Sequence, residues 1–222
     1  MVGPREAHPL TVVSPAPATP RPAASVVALR DSADGPEVLL VRRHERSRDF
    51  AGASVYPGGL VDAADAEPEL SPAGSGLVLA DARTALGEDL ADGDVRALWV
   101  ASCRELFEEA GILLARDADG APVRPQVVEA LGSERVRLQD GSRRLGDLLG
   151  ETGLVLALDG LVPFARWITP EAQPRRWDTR FFLVAAPASQ RELADGTETS
   201  LALWSRPADA LAAYRAGEHV LA

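Results

Sequence analysis

Arg104-Glu105-Leu106-Phe107-Glu108-Glu109-Ala110-Gly111-Ile112 is the stretch on which the reading of this chain turns. Glu105, Glu108 and Glu109 stand at i, i+3 and i+4, so a helix carries all three carboxylates on one face. Three like charges at that spacing repel one another, and the C-terminal end of a helix favours cations over anions. A divalent cation removes the conflict, because magnesium takes hard oxygen ligands and completes its shell with water and phosphate. The competing reading is a solvated acidic face, which for three glutamates at this spacing alone is the commoner outcome.

Working outward, Asp94 is placed to cap a helix that runs to Ala110, with Gly111 ending it. Leu98, Ala101, Leu106 and Phe107 supply its apolar side. Upstream, Ala24–Arg30 and Glu37–Arg43 are rich in β-branched and aliphatic residues. The turn-forming run Asp31–Pro36 separates them, which predicts a hairpin. Val55-Tyr56-Pro57-Gly58-Gly59 is a turn of unusual backbone freedom. A helix is expected within Leu77–Leu90, and two more over Val127–Leu138 and Leu145–Glu151. Strands are expected at Ala165–Thr169, Arg180–Ala186 and Ser200–Ser205, with a closing helix over Pro207–Ala216. Interleaved strands and helices make the class α/β or α+β. Six prolines in residues 1–22 read as a disordered lead-in to one domain over 23–222.

Composition narrows the functions. The chain has 222 residues and a formal net charge of −10, a poor basis for non-specific nucleic-acid binding. A polyanionic substrate would need metal ions or a local basic patch to bridge to it. The single cysteine, Cys103, allows no internal disulfide and reads as a buried inert thiol. His8, His44 and His219 have no metal-ligand spacing. No apolar run has membrane-spanning length, no secretory leader is visible, and the last three residues are not a peroxisomal address. The expected compartment is the cytoplasm.

The decisive stretch matches the second half of the Nudix signature, Arg-Glu-U-x-Glu-Glu-x-Gly-U with U a bulky aliphatic. Chance matches in a chain of this size are on the order of 10⁻⁵. The first half, Gly-x5-Glu, is met by Gly59 and Asp65, with Asp for Glu. Residues 66–103 stand between the halves, far more than the uninterrupted signature carries. Over roughly residues 23–217 the chain resembles the split-box branch of the Nudix superfamily that includes the peroxisomal acyl-CoA diphosphatases. Arg48-x3-Gly52-x3-Tyr56-Pro57-Gly58-Gly59 is similar to an element of coenzyme A-cleaving Nudix enzymes, with Tyr for Phe. The Leu-Leu-Thr segment that precedes it there is replaced by Leu39-Leu40-Val41-Arg42-Arg43. Trp167–Pro170 and Arg175–Phe182 look like a second block shared with that branch.

The resemblance implies a Nudix fold: a mixed sheet sandwiched between helices, with one helical insertion inside the box (about 66–93) and a second at about 117–153. It implies Mg2+ or Mn2+ held by Glu105, Glu108, Glu109 and the Gly58 carbonyl, with Arg104 orienting a carboxylate. A further acidic residue comes from a loop before the last core strand, with Glu198 the first candidate and Glu192 the second. Arg48, Gly59, Arg175, Arg176 and Arg180 are the substrate-binding candidates. Trp167, Trp177 and Trp204 read first as packing, Trp177 being the best placed to stack a base. The implied reaction is hydrolysis of a diphosphate bond in a nucleoside diphosphate derivative: CoA or acyl-CoA first, then ADP-ribose, a dinucleotide or a nucleotide sugar. A ligand-binding module without turnover is the non-enzymatic alternative. The helices of the second insertion are candidates to cap the site or to form a homodimer face.

Overall fold

Six consecutive residues of the first strand, Ala23–Ala28, are buried, so this strand is covered on both faces and lies inside its sheet. A computed structural model of the chain describes residues 17–222. Strands β1 (Arg21–Arg30), β2 (Glu37–Arg43), β3 (Ser54–Val55), β4 (Gly58–Leu60), β7 (Val162–Ile168), β8 (Trp177–Ala185) and β9 (Thr199–Ser205) make one mixed sheet. Its order is β3-β2-β1-β8-β7, with β4 on β1 and β9 on β2. β5 (Ala115–Arg116) and β6 (Val155–Leu156) form a separate antiparallel pair. The pairing of β1 with β8 is parallel.

The hairpin expected of β1 and β2 forms, but it pairs only at Leu29–Val38 and Arg30–Glu37. Below that point the strands part. β4 pairs with Ala23–Ser25 instead, which sets Gly58 and Gly59 beside the centre of the sheet.

Helix α2 (Asp92–Ala110) crosses this sheet and is buried at 15 of its 19 residues. A helix buried all round needs a second cover, and the insertions supply it. Short 3-10 turns at Ala63–Ala66 and Pro68–Leu70, with α1 (Leu79–Leu86), come from inside the box. α3 (Pro125–Ala130), α4 (Glu134–Gln139) and α5 (Leu145–Thr152) come from the second insertion. Arg144 pairs with Glu67, joining the two insertions. Trp99 meets Phe182 of β8 edge to face, ring centroids 4.7 Å apart, which fixes α2 on the sheet. The opposite face is covered by α6 (Pro207–Arg215), whose Ala210 packs with Val27, Val38 and Leu40. The expected α/β sandwich is therefore present. Among the described residues no helix is long and apolar enough to cross a membrane.

Several boundaries differ from the sequence reading. Residues 1–16 of the expected lead-in lie outside the described residues, and Arg21 and Pro22 belong to β1 because β8 pairs along its whole length. α2 starts at Asp92, with Ala91 at its N-cap, so Asp94 lies in the first turn, where a carboxylate still complements the helix dipole. The helix expected over Val127–Leu138 is broken at Leu131-Gly132-Ser133 into α3 and α4. Trp167 is exposed because β7 is a sheet edge.

Candidate active site

The last two turns of α2 carry four buried charged residues, Arg104, Glu105, Glu108 and Glu109. Arg104 organises them. Its Nε and Nη2 donate to the two oxygens of Asp65, each at 2.9 Å, a fork-on-fork pair. Nη2 also donates to the Leu60 carbonyl at 2.9 Å. Nη1 turns back to its own helix and meets Glu105 Oε1 at 2.9 Å and Glu108 Oε2 at 3.3 Å. Asp65 thus receives the guanidinium across the interruption of the box. Its Oδ2 also accepts from the Asp62 amide at 2.8 Å, which seats the 3-10 turn.

The glycine pair brings backbone against the other carboxylates. The Gly58 amide donates to Glu109 Oε2 at 3.0 Å. A Cβ on Gly58 would lie 2.5 Å from the Ala24 carbonyl oxygen, and one on Gly59 would lie 2.4 Å from Glu105 Oε1. Gly59, expected to contact substrate, is therefore the place where Glu105 passes. Gly59→Ala is expected to displace the Glu105 carboxylate while leaving the β1–β4 pairing intact. Under the metal-dependent function proposed below, Mn2+ affinity should fall roughly tenfold or more; unchanged affinity on titration would refute that placement.

Burial governs the protonation of the trio. It pushes Glu105 up to about 7, against the pull of Arg104. Burial pushes Glu108 up to about 8, again against Arg104. Glu109 is raised well above the usual carboxylate range by burial and then by the charge of Glu105, with the Gly58 amide opposing. Glu108 Oε1 is buried without any hydrogen-bond partner.

Asp65 and the trio make four buried carboxylates, facing one buried guanidinium and Arg43, whose Nη1 is 3.7 Å from Glu109 Oε1. Among the described residues no three metal-binding side chains stand ready around one point, because the Arg104 guanidinium sits between Glu105 and Glu108. The residues nevertheless fit a hard divalent cation. The donors are all oxygen, negative charge is in excess, and one buried carboxylate oxygen, Glu108 Oε1, is unpartnered.

The remaining expected residues divide. Glu198 is exposed, and its charge adds to the upward push on Glu105 and Glu109. Its loop is held by Asp195, which accepts from the Glu198 amide at 2.7 Å and from Thr199 Oγ1 at 2.8 Å. Thr199 Oγ1 also reaches the Glu109 carbonyl at 3.1 Å. Glu192 instead accepts from the Trp204 indole at 2.9 Å. Arg48 is exposed in the loop after β2, and Arg175 is 2.7 Å from the neighbouring Asp49.

Arg176 and Arg180 are engaged by protein groups. Arg176 donates to the Thr169 and Ala18 carbonyls, fastening the strand ends. Arg180 is buried between Glu88 and Asp178, so it tethers the box insertion to β8 and offers no open fork to a substrate. Arg43, Asp65, Asp195 and Thr199 did not stand out as candidate site residues in the sequence. Only Asp65 had a signal, its six-residue offset from Gly59. Cys103 is buried, and burial pushes its thiol well above the ordinary range, as expected of an inert thiol.

The chain is similar to a solved structure and to curated proteins. A solved NUDIX hydrolase from Alicyclobacillus acidocaldarius superposes with a TM-score of 0.71 at 31% identity, covering 92% of this chain and 86% of that one. The acyl-coenzyme A diphosphatase NUDT19 of Gallus gallus is 34% identical over 84% of this chain and 58% of its own length. That of Homo sapiens is 27% identical over 84% of this chain and 57% of its own. The chain thus spans a little over half the length of these curated relatives. The profile of the NUDT19 Nudix domain matches residues 70–222, more than two thirds of the sequence and inclusive of the whole of α2, and the chain belongs to that family.

Proposed function

We propose that this chain is a divalent-metal-dependent hydrolase of a diphosphate bond, with CoA or an acyl-CoA as its substrate and 3′,5′-ADP and (acyl-)4′-phosphopantetheine as products. The observation that carries the reading is that Glu109 meets the Gly58 amide and Glu105 lies against Gly59, while Glu108, linked to Glu105 through Arg104, keeps one buried oxygen unpartnered. Glu105, Glu108, Glu109 and the Gly58 carbonyl would hold Mg2+ or Mn2+. Such ions neutralise phosphoryl oxygens and lower the pKa of bound water. The chain's own residues do the rest. Arg104 fixes Glu105 and Glu108 relative to Asp65. A glutamate of the trio or Glu198 takes the proton from the attacking water. Arg43 and Arg175 both meet Asp49, next to Arg48 in sequence, and guanidinium forks match phosphate oxygens.

The relatives named acyl-coenzyme A diphosphatases favour CoA esters. The replacement of the upstream Leu-Leu-Thr segment by Leu39–Arg43 keeps a second reading open, hydrolysis of ADP-ribose, a dinucleotide or a nucleotide sugar by the same centre. The deciding experiment incubates the chain and Mg2+ with CoA, acyl-CoA, ADP-ribose and dinucleotides and identifies products by mass. Faster turnover of CoA esters is expected; a CoA rate no better than that for ADP-ribose would sink the first reading. We place the protein in the cytoplasm with a small-molecule partner, neither nucleic acid nor membrane; sedimentation would decide between a monomer and a homodimer.

The raised carboxylates set a pH dependence. A buried acid whose folded pKa exceeds its unfolded value holds its proton to higher pH when folded. Stability therefore falls as pH rises from the ordinary carboxylate range, roughly 4.3, towards about 7 for Glu105 and about 8 for Glu108. Metal-free protein should melt at lower temperature at pH 8.5 than at pH 5.5. Mg2+ or Mn2+ should raise the melting temperature more at the higher pH, as thermal scans would show. A flat profile in both states would contradict the assignment.

A further inference from the structure

The C-terminal end of α2 has four carbonyls that no helical amide can satisfy, and their partners connect distant parts of the site. Phe107 O takes the Gly111 amide at 2.9 Å. Ala110 O takes the Leu193 amide at 2.9 Å, and Glu109 O takes Thr199 Oγ1 at 3.1 Å, both from the loop that carries Glu198. Glu108 O takes Arg135, from Nε at 3.1 Å and Nη2 at 2.8 Å. The same Nη2 donates to Leu193 O at 2.7 Å. Arg135 is 4% exposed and belongs to α4, in the second insertion. Gly111 makes room for it: a Cβ there would lie 3.2 Å from Arg135 Nη1. Gln139, one turn on, reaches Glu108 O at 3.4 Å and Thr197 at 3.3 Å.

We infer that Arg135 is a positioning residue: its guanidinium locks the Glu108–Glu109 turn of α2 to the 193–199 loop and so sets where Glu198 stands relative to the trio. The inference rests on the metal-dependent reading and deepens it. A cation at a helix C-terminus is favourable in itself, but a simple cap does not need to bridge two segments. The second insertion then serves the site, through the one buried arginine it sends to the end of α2.

The test measures Mn2+ affinity by electron paramagnetic resonance on the full chain, for wild type, Glu109→Gln, Arg135→Gln, Glu198→Gln and the double variant Arg135→Gln/Glu198→Gln. Urea midpoints are recorded in parallel. Outer supports of metal ligands typically account for 10–100-fold in affinity. Arg135→Gln is therefore expected to weaken Mn2+ about tenfold. Glu198→Gln should then add little on that background, because the loop no longer presents its carboxylate. Arg135→Lys, which keeps the charge and loses the fork, should recover only part of the affinity, and it replaces Arg135→Gln in the cycle if the latter does not fold. Wild-type affinity in folded Arg135→Gln, or full additivity with Glu198→Gln, would reduce Arg135 to a stabilising cap and overturn the inference. If wild type and Glu109→Gln both fail to bind Mn2+, the metal reading itself falls and takes the inference with it.

Discussion

Glu109→Gln is expected to lose diphosphate hydrolysis by about 10³-fold or more while melting at a higher temperature than the wild type in metal-free buffer at pH 8. Both effects have one cause. Glu109 is 1% exposed, and its carboxylate has one backbone donor, Gly58, and one distant guanidinium, Arg43. Ionising it there is costly without a cation, and that cost disappears in the amide. The amide also gives up one of the anionic oxygens that would hold the metal, whose electrostatic contribution to phosphoryl chemistry is several kcal/mol. Steady-state rates with saturating Mg2+ and a metal-free thermal scan measure the two together. A variant that keeps wild-type turnover would remove Glu109 from the metal site, and with it the proposed mechanism.

Arg104→Gln is expected to be the most destabilising single change in the site. The guanidinium is buried and serves Asp65, Glu105, Glu108 and the Leu60 carbonyl at once. Breaking a buried ion pair by removing one partner typically costs about 3–5 kcal/mol, because the other charge is left uncompensated. Here the stranded group is Asp65, which ends the first half of the box and is 2% exposed. Urea denaturation of Arg104→Gln should show that loss, and Asp65→Asn added to it should return part of it. A loss below about 1 kcal/mol, the range of exposed ion pairs, would mean that Arg104 is solvated in solution.

Much of this was legible beforehand. The glutamate spacing, the glycine pair and the split between Gly59 and Arg104 are local features of the chain, and the strands around them follow from β-branched runs. The arginines were not legible. Arg175, Arg176 and Arg180 look alike in sequence. Pairing β8 with β1 and β7 tucks Arg180 under Glu88, leaves Arg176 on the Thr169 and Ala18 carbonyls, and sends Arg175 to Asp49. Arg43 drew no notice as a strand-end residue until β2 and α2 brought it to Glu109.

The amino-acid order alone determined that three carboxylates share one helical face, because a period of 3.6 residues is a property of the backbone and needs no neighbour. It likewise determined that Gly58 and Gly59 offer backbone without side chains. Tertiary structure decided what those groups meet. Asp65 reaches Arg104 across 39 positions of sequence, Gly58 reaches Glu109 across 51, and Arg135 reaches the end of α2 from the second insertion. Those contacts, and the burial that raises the glutamates, depend on which surfaces the folded chain removes from water, and a local pattern of residue types does not encode that.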